Sequence, residues 1–311
     1  MSSTKITTPQ EKTFSTYNQA QGERYANVRP EYHASLFKII LDHHMATGGE
    51  CNKLLDLGCG PGTATHGLAS AFTQVLGIDP SDGMIATARS HNSTANVEFA
   101  VSTAEDLGSN LSPPVEDSSV DLITAANAAH WFDMQNFWSS AARVLKPGGT
   151  VAFWTPGRAG VHPSTPNAEN IQAAMDAMEE EYISPFYEPG NVMVRGRYVD
   201  MLLPWMIDQP VEVFEKESFF RKDWEVDEQF FAVTPEVGMD QLEKMVAVGS
   251  PVTRWRLANP DAVGTEKDIV RMLRRRIEQL LHEAGVEKGK EIVRAASRGA
   301  LLMVKKSTIS A

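Results

Sequence analysis

The stretch Leu54-Leu55-Asp56-Leu57-Gly58-Cys59-Gly60-Pro61-Gly62-Thr63 decides how the rest of the chain is read. Leu54, Leu55 and Leu57 form a short apolar run, as a parallel strand covered on both faces requires. Gly58, Gly60 and Gly62 then let the backbone turn sharply and approach a ligand with no Cβ in the way. Thr63 to Phe72 has helical composition, so the turn opens into a helix whose first N–H groups face whatever sits there. Strand, glycine turn and helix in that order predict a flat, nucleotide-like ligand.

The spacing separates two kinds of ligand. A dinucleotide turn reads G-x-G-x-x-G and faces a pyrophosphate. Here the third glycine comes one position early, and Asp56 stands two residues before the first. A carboxylate repels a pyrophosphate and welcomes an ammonium group, so the stretch suits a ligand with a positive end. Asp56-Leu57-Gly58-Cys59-Gly60-Pro61-Gly62 resembles the first motif of the class I S-adenosylmethionine-dependent methyltransferases. The resemblance implies that Asp56 lies near the methionine amino group of S-adenosyl-L-methionine and that Gly58 and Gly60 pack against it.

Composition bounds the alternatives. The chain has 311 residues, 42% of them hydrophobic, which suits one domain carrying a large insertion. Its formal charge of −11, from 29 Lys and Arg against 40 Asp and Glu, argues against nucleic acid as a partner. Cys51 and Cys59 are too few for a disulfide framework and are expected to be reduced. The start is polar with no apolar signal core, and no apolar run reaches membrane-spanning length, so a soluble cytoplasmic protein is expected. No metal site is expected, and oligomeric state is not legible.

Outward from the glycine turn the chain alternates strands with helices. Gln74 to Ile78, Val97 to Val101, Val120 to Ala126 and Thr150 to Trp154 read as further strands, with helices at Glu31 to Met45, Asp82 to Ser90 and within Phe132 to Leu145. This rhythm means a parallel sheet with helices on both faces. After Trp154 it breaks into a proline-rich loop. Asn167 to Tyr182, Asn191 to Met206, Asp240 to Val248, Thr253 to Ala258 and Glu266 to Ala284 then read as helices. Val211 to Phe220 and Gly299 to Lys305 read as late strands. The family resemblance implies that the two late strands form an antiparallel edge pair, so the expected fold is α/β: a Rossmann-like, seven-stranded, mostly parallel sheet with an antiparallel last strand, plus a helical lid. Its parts are a disordered 1–13, a cofactor-binding core at 14–155, lid segments at 156–206 and 222–290, and edge strands at 211–221 and 298–306.

Other residues gather around the turn. Asp79 ends the second strand about 20 residues beyond the glycines, where an acid accepts from ribose hydroxyls. Gly77-Ile78-Asp79-Pro80-Ser81-Asp82-Gly83-Met84-Ile85 resembles the second motif of the same family, which implies that Pro80 and Met84 border the adenosine. Ser102-Thr103-Ala104-Glu105 stands where the family carries an acid for the adenine amino group. Thr103 replaces that acid, and backbone recognition through Ala104 and Glu105 survives the change. Asn127 and His130 follow the fourth strand, beside the sulfonium and the acceptor. His130 either serves as general base for an acceptor that must lose a proton, or hydrogen-bonds locally and shapes the site. The second reading is preferred.

Phe14 to Asn18, Glu23 to Pro30 and Ala129-His130-Trp131-Phe132 are similar to the branch containing the trans-aconitate methyltransferases and their fungal relatives. That likeness implies that Tyr17, Tyr25 and Arg29 fold over the cofactor, with Arg29 pairing its carboxylate. Arg195, Arg197, Arg254 and Arg256 are candidates to clamp an acidic substrate, and Trp205 and Trp255 either line the pocket or fill the lid. The expected activity is methylation of a small-molecule acceptor, foremost O-methylation of a carboxylate such as trans-aconitate. Alternatives are an O- or N-methyltransferase of secondary metabolism and a methyltransferase-like binding protein without turnover.

Overall fold

The computed structural model describes residues 13–232 and 236–308; residues 1–12 of the segment expected to be disordered lie outside them. The first half of the chain holds α1 (Gln19–Ala26), α2 (Ala34–Ala46), β1 (Lys53–Leu57), α3 (Thr63–Leu68), β2 (Gln74–Asp79), α4 (Asp82–His91), β3 (Val97–Val101), β4 (Val120–Ala126), α5 (Met134–Val144) and β5 (Leu145–Thr155). The second half holds β6 (Ala159–Val161), α6 (Ala168–Met178), α7 (Pro189–Arg195), β7 (Phe214–Asp223), β8 (Glu236–Gly238), α8 (Met239–Ala247), α9 (Ser250–Ala258), α10 (Ile269–Glu283), β9 (Ile292–Ser297) and β10 (Ala300–Lys306).

Seven strands form one sheet in the order β3-β2-β1-β4-β5-β10-β7. β10 runs antiparallel to both β5 and β7, and β3, β2, β1, β4 and β5 are mutually parallel. Alternation of apolar runs predicts the parallel part of this Rossmann-like sheet, and the family resemblance implies its antiparallel last strand. Strand alternation divides the core between its two faces. Leu55, Leu57, Ile123, Ala125, Val151 and Phe153 pack with Phe137 and Trp138 of α5 on one side. Leu54, Leu122, Ala152 and Trp154 pack with Leu36 and Ile40 of α2 on the other. The strand order reverses between β1 and β4, which places the ligand crevice of such a sheet at their carboxyl ends.

The second half departs from expectation in two places. β6, β9 and β8 form a small three-stranded antiparallel sheet that the sequence reading lacks. β6 and β8 span three residues each, too short for period-two alternation to register. The helix expected from Asn191 to Met206 is the short α7, which ends at Arg195. Arg197 and Tyr198 adopt φ of 54° and 60°, a left-handed turn no helix tolerates. Beyond it, Tyr198, Met201, Leu203 and Ile207 pack into the sheet core. The remaining helices build cores of their own: Ile171 of α6 with Ile277 and Leu280 of α10, and Val252 and Trp255 of α9 with Ile269. Arg274 ties α10 to α8 through Asp240 and Glu243.

Candidate active site

A cavity of 1230 Å³ opens over the carboxyl ends of β1, β2 and β4 and runs up beneath the lid helices. The turn after β1 forms its floor. Gly60 adopts φ of +53°, and a Cβ built there meets nothing within 4 Å, so its backbone stands open to the cavity. Gly58 also has positive φ (+57°), and a Cβ there would reach Ala128 at 2.6 Å. Glycine is required at both, at Gly60 by conformation and at Gly58 by crowding as well. The helix after the turn is shorter than the expected run to Phe72: α3 ends at Leu68 and tightens into a 3-10 turn.

Asp79 completes the floor. Its carboxylate accepts from the Gly60 N–H (2.9 Å) and the Ser81 N–H (2.9 Å), joining the ends of β1 and β2 at the cavity edge. Pro80 and Met84 line the same edge. Thr103, Ala104 and Glu105 line the next wall. The Thr103 hydroxyl donates to Asp106 Oδ2 (3.0 Å) and accepts from the Asp106 N–H (3.1 Å), which secures the turn after β3. Glu105 accepts from the Asp133 N–H at 2.8 Å and so ties that loop to the one after β4.

Asp56 differs from its expected place: it is not among the residues lining the cavity. Alternation along β1 turns its side chain inward, opposite Leu55 and Leu57, and it is fully buried. The Thr65 hydroxyl donates to Oδ2 at 2.6 Å and the Thr124 hydroxyl to Oδ1 at 2.7 Å. Burial raises its pKa to about 6, against the two hydroxyl bonds that favour the charged form. Asp56 thus clamps β1, β4 and α3 together beneath the turn. Tyr17 also stands off the cavity: its ring lies edge-on against Phe14 (5.3 Å), and its backbone carbonyl accepts from the Ser81 hydroxyl.

Tyr25 and Arg29 close the cavity from the amino-terminal side. The Arg29 guanidinium lies 4.7 Å over the Tyr25 ring, a cation–π contact, while its buried Nε has no hydrogen-bond partner. A charged group sheltered this way favours an incoming anion. Asn127, at φ of 53°, donates its N–H to the Trp154 carbonyl (2.7 Å) and accepts from the Thr155 hydroxyl (3.0 Å). His130 lines the cavity with its Nδ1 2.9 Å from the Tyr198 hydroxyl. Burial, reinforced by the Arg29 charge, lowers its pKa to about 3, so the ring is neutral at physiological pH.

Toward the lid, Arg195 lines the cavity, whereas Arg197, Arg254 and Arg256 do not. Those three are held by Asp223 (3.2 Å), Glu188 (3.3 Å) and Asp268 (2.9 Å) respectively. Two partners of Arg195 escaped the sequence reading. Glu179 accepts from Arg195 and the Tyr187 hydroxyl through Oε1, and from Arg158 through Oε2. Arg158 also pairs with Asp176. Glu179 opens the acidic run Glu179-Glu180-Glu181, which composition marks as a solvated face; the run forms one π-helical turn, a geometry frequent at functional sites. Trp205 packs on Phe219 (5.9 Å) and Trp255 sits in the lid core, so neither lines the cavity.

A glycine turn after β1, an acid after β2 and polar loops after β3 and β4 stand together at the switch point of this Rossmann-like sheet. Residues 55–153 match a family model described as a methyltransferase domain. A protein of Dictyostelium discoideum named as a methyltransferase is 33% identical over 178 residues, 57% of this chain and 62% of that protein. The methyltransferase cfoB of Aspergillus candidus is 34% identical over 148 residues, 47% of this chain and 45% of that protein. The chain thus spans about half the length of the curated relatives it matches. A solved structure from Anaeromyxobacter dehalogenans, described as a type II methyltransferase, superposes with a TM-score of 0.61 at 25% identity, covering 88% of this chain and 97% of that one.

Residues 55–153 thus match a methyltransferase domain within a Rossmann-like sheet, and the cofactor of such a domain is S-adenosylmethionine. The residues present fit that cofactor: Gly60 leaves open space where a side chain would stand, and the partnerless Arg29 Nε suits a carboxylate. Among the described residues, no group of three His, Cys, Asp or Glu stands together to hold a metal, and no helix is long and apolar enough to cross a membrane.

Proposed function

We propose that this chain methylates a small-molecule acid, with a carboxylate oxygen as the acceptor. S-adenosylmethionine supplies an electrophilic methyl group on a sulfonium. Gly58 and Gly60 bring backbone close to it, Asp79 accepts from its ribose hydroxyls, and Arg29 pairs its carboxylate. Pro80, Met84, Thr103, Ala104 and Glu105 border the adenine. Asp56, off the cavity lining and bonded to Thr65 and Thr124, supports this site from beneath.

The observation that carries the acceptor is that His130 is buried and has its Nδ1 engaged with the Tyr198 hydroxyl at 2.9 Å. A hydroxyl acceptor must lose its proton, and a general base works best with a pKa near the operating pH. With a pKa of about 3, His130 is a weak base. A carboxylate is already ionised and needs positioning and a dry site instead. Arg195, which uses Nη1 alone for Glu179 and Tyr187, keeps donors for a carboxylate on the lid side of the cavity. Asn127 and His130, fixed by Thr155 and Tyr198, shape the wall where acceptor and methyl meet.

The test is a calorimetric titration with S-adenosylmethionine followed by a product screen across carboxylic acids, phenols and amines. Binding together with methyl esters from the acids supports the proposal. Binding with methylated phenols or amines alone refutes the acceptor, and absence of binding refutes the cofactor site.

A further inference from the structure

The lid half of the cavity is built for grease, and its charges are spent. Met175, Ile183, Val194, Leu242, Met245 and Val246 line it from α6, the π-turn, α7 and α8, all of them half-buried. Arg29, Arg158 and Arg195 are the cations among the described lining residues, and five carboxylates share the cavity with them. Arg29 belongs to the cofactor side. Arg158 and Arg195 share the Glu179 carboxylate, and Asp176 takes a further bond from Arg158, so two guanidiniums face two carboxylates. The polar end of the lid compartment is therefore close to neutral.

We infer that the acceptor is an acid with one carboxylate and a large apolar body, not a compact polyacid of the trans-aconitate kind. This rests on the carboxylate reading above. A tricarboxylate would carry three negative charges into a compartment with no surplus cation and bury them against aliphatic walls, at a desolvation cost that nothing offsets. A single carboxylate has a place. Arg195 uses Nη1 alone for its bonds to Glu179 and Tyr187, which leaves part of its donor fork for one more anion. The volume agrees: at 1230 Å³ the cavity exceeds the roughly 300–1,000 Å³ of a site for one ligand, leaving room for an apolar body beside the cofactor.

The experiment is a competition series with the full chain and saturating S-adenosylmethionine, reading base-labile methyl ester. Straight-chain monoacids from hexanoate to dodecanoate are compared with trans-aconitate and citrate. Each buried methylene should raise kcat/KM about fourfold until the cavity is filled, and the tricarboxylates should fall at least tenfold below dodecanoate. Met245→Lys should erase the chain-length dependence while leaving cofactor affinity unchanged, which also reports that the variant is folded. Should that variant not fold, Leu242→Gln serves in its place with the same expected loss. Faster esterification of the tricarboxylates, or a rate indifferent to chain length, overturns the inference and leaves the carboxylate reading standing. A base-stable methyl on an apolar phenol or amine, with every acid inert, overturns both.

Discussion

Replacing Arg29 with methionine should separate a cofactor-binding arginine from a structural one, because the two roles predict opposite results. Methionine keeps most of the apolar stem and removes the guanidinium. In the ligand-free chain the loss is the cation–π contact to Tyr25, 4.7 Å away, worth about 1 kcal/mol. Against it stands relief from a buried Nε without a partner, worth roughly 1–3 kcal/mol. The balance leaves the unliganded protein unchanged or more stable by up to about 2 kcal/mol. Cofactor affinity should change far more. A hydrogen bond to a charged group contributes about 1.5–3 kcal/mol, which is roughly a 10- to 150-fold rise in Kd for S-adenosylmethionine. The same rise is expected for S-adenosylhomocysteine, which keeps the carboxylate and lacks the sulfonium. Methylthioadenosine lacks the carboxylate, and its affinity should stay within about twofold. Calorimetric titration of the three ligands, with denaturant melts of the free proteins, reads every arm. If the variant loses several kcal/mol of stability with cofactor affinity intact, or weakens all three ligands equally, Arg29 is a packing residue and the reasoning fails.

Other expectations follow from the same geometry. Asp56 holds a folded pKa of about 6, above the usual carboxylate value, so the native state keeps a proton that the unfolded chain has released. Its contribution to stability therefore falls as pH rises from about 4 to 6 and is level above that. Asp56→Asn should gain on the wild type by roughly 2–3 kcal/mol between pH 4 and 7, read from paired urea melts; a constant difference would contradict the raised pKa. His130→Ala should leave the rate flat from about pH 6 to 9 with a modest fall in kcat, while leaving the buried Tyr198 hydroxyl without its partner costs about 1–3 kcal/mol. A kcat that collapses with cofactor binding intact would make His130 a base. Gly60→Val should abolish cofactor binding in a titration, since φ of +53° and open space direct the new side chain into the cavity, and should lower stability by about 1–2 kcal/mol.

The core of the fold was legible because its signals are local. Leu54 to Gly62 carries strand, turn and helix start within one stretch, and the apolar runs ending at Ile78, Val101, Ala126 and Trp154 repeat the pattern in order. What escaped reading depends on contacts far apart in the chain. Asp56 belongs to a known motif, but its direction is set by strand alternation and by Thr124, 68 residues away. Tyr198 reaches His130 across another 68 residues, from a segment whose left-handed turn at Arg197 has no distinctive residue type. Arg158 and Glu179 sit 21 residues apart, one in a loop and one in an acidic run, and only the folded lid makes them a pair. The sheet of β6, β9 and β8 is invisible for a simpler reason: two of its strands have three residues each, too few to show an alternation.

Alkali separates a methyl group on a carboxylate from one on a hydroxyl or an amine. The chain is incubated with radiolabelled S-adenosylmethionine and an apolar monoacid, and the washed product is treated with mild base. A methyl ester hydrolyses and releases volatile labelled methanol, whereas an ether or a methylated amine retains its label. Transfer to the carboxylate makes the label volatile in full; label that resists base, or no transfer to the acid while S-adenosylmethionine still binds, contradicts a carboxylate acceptor.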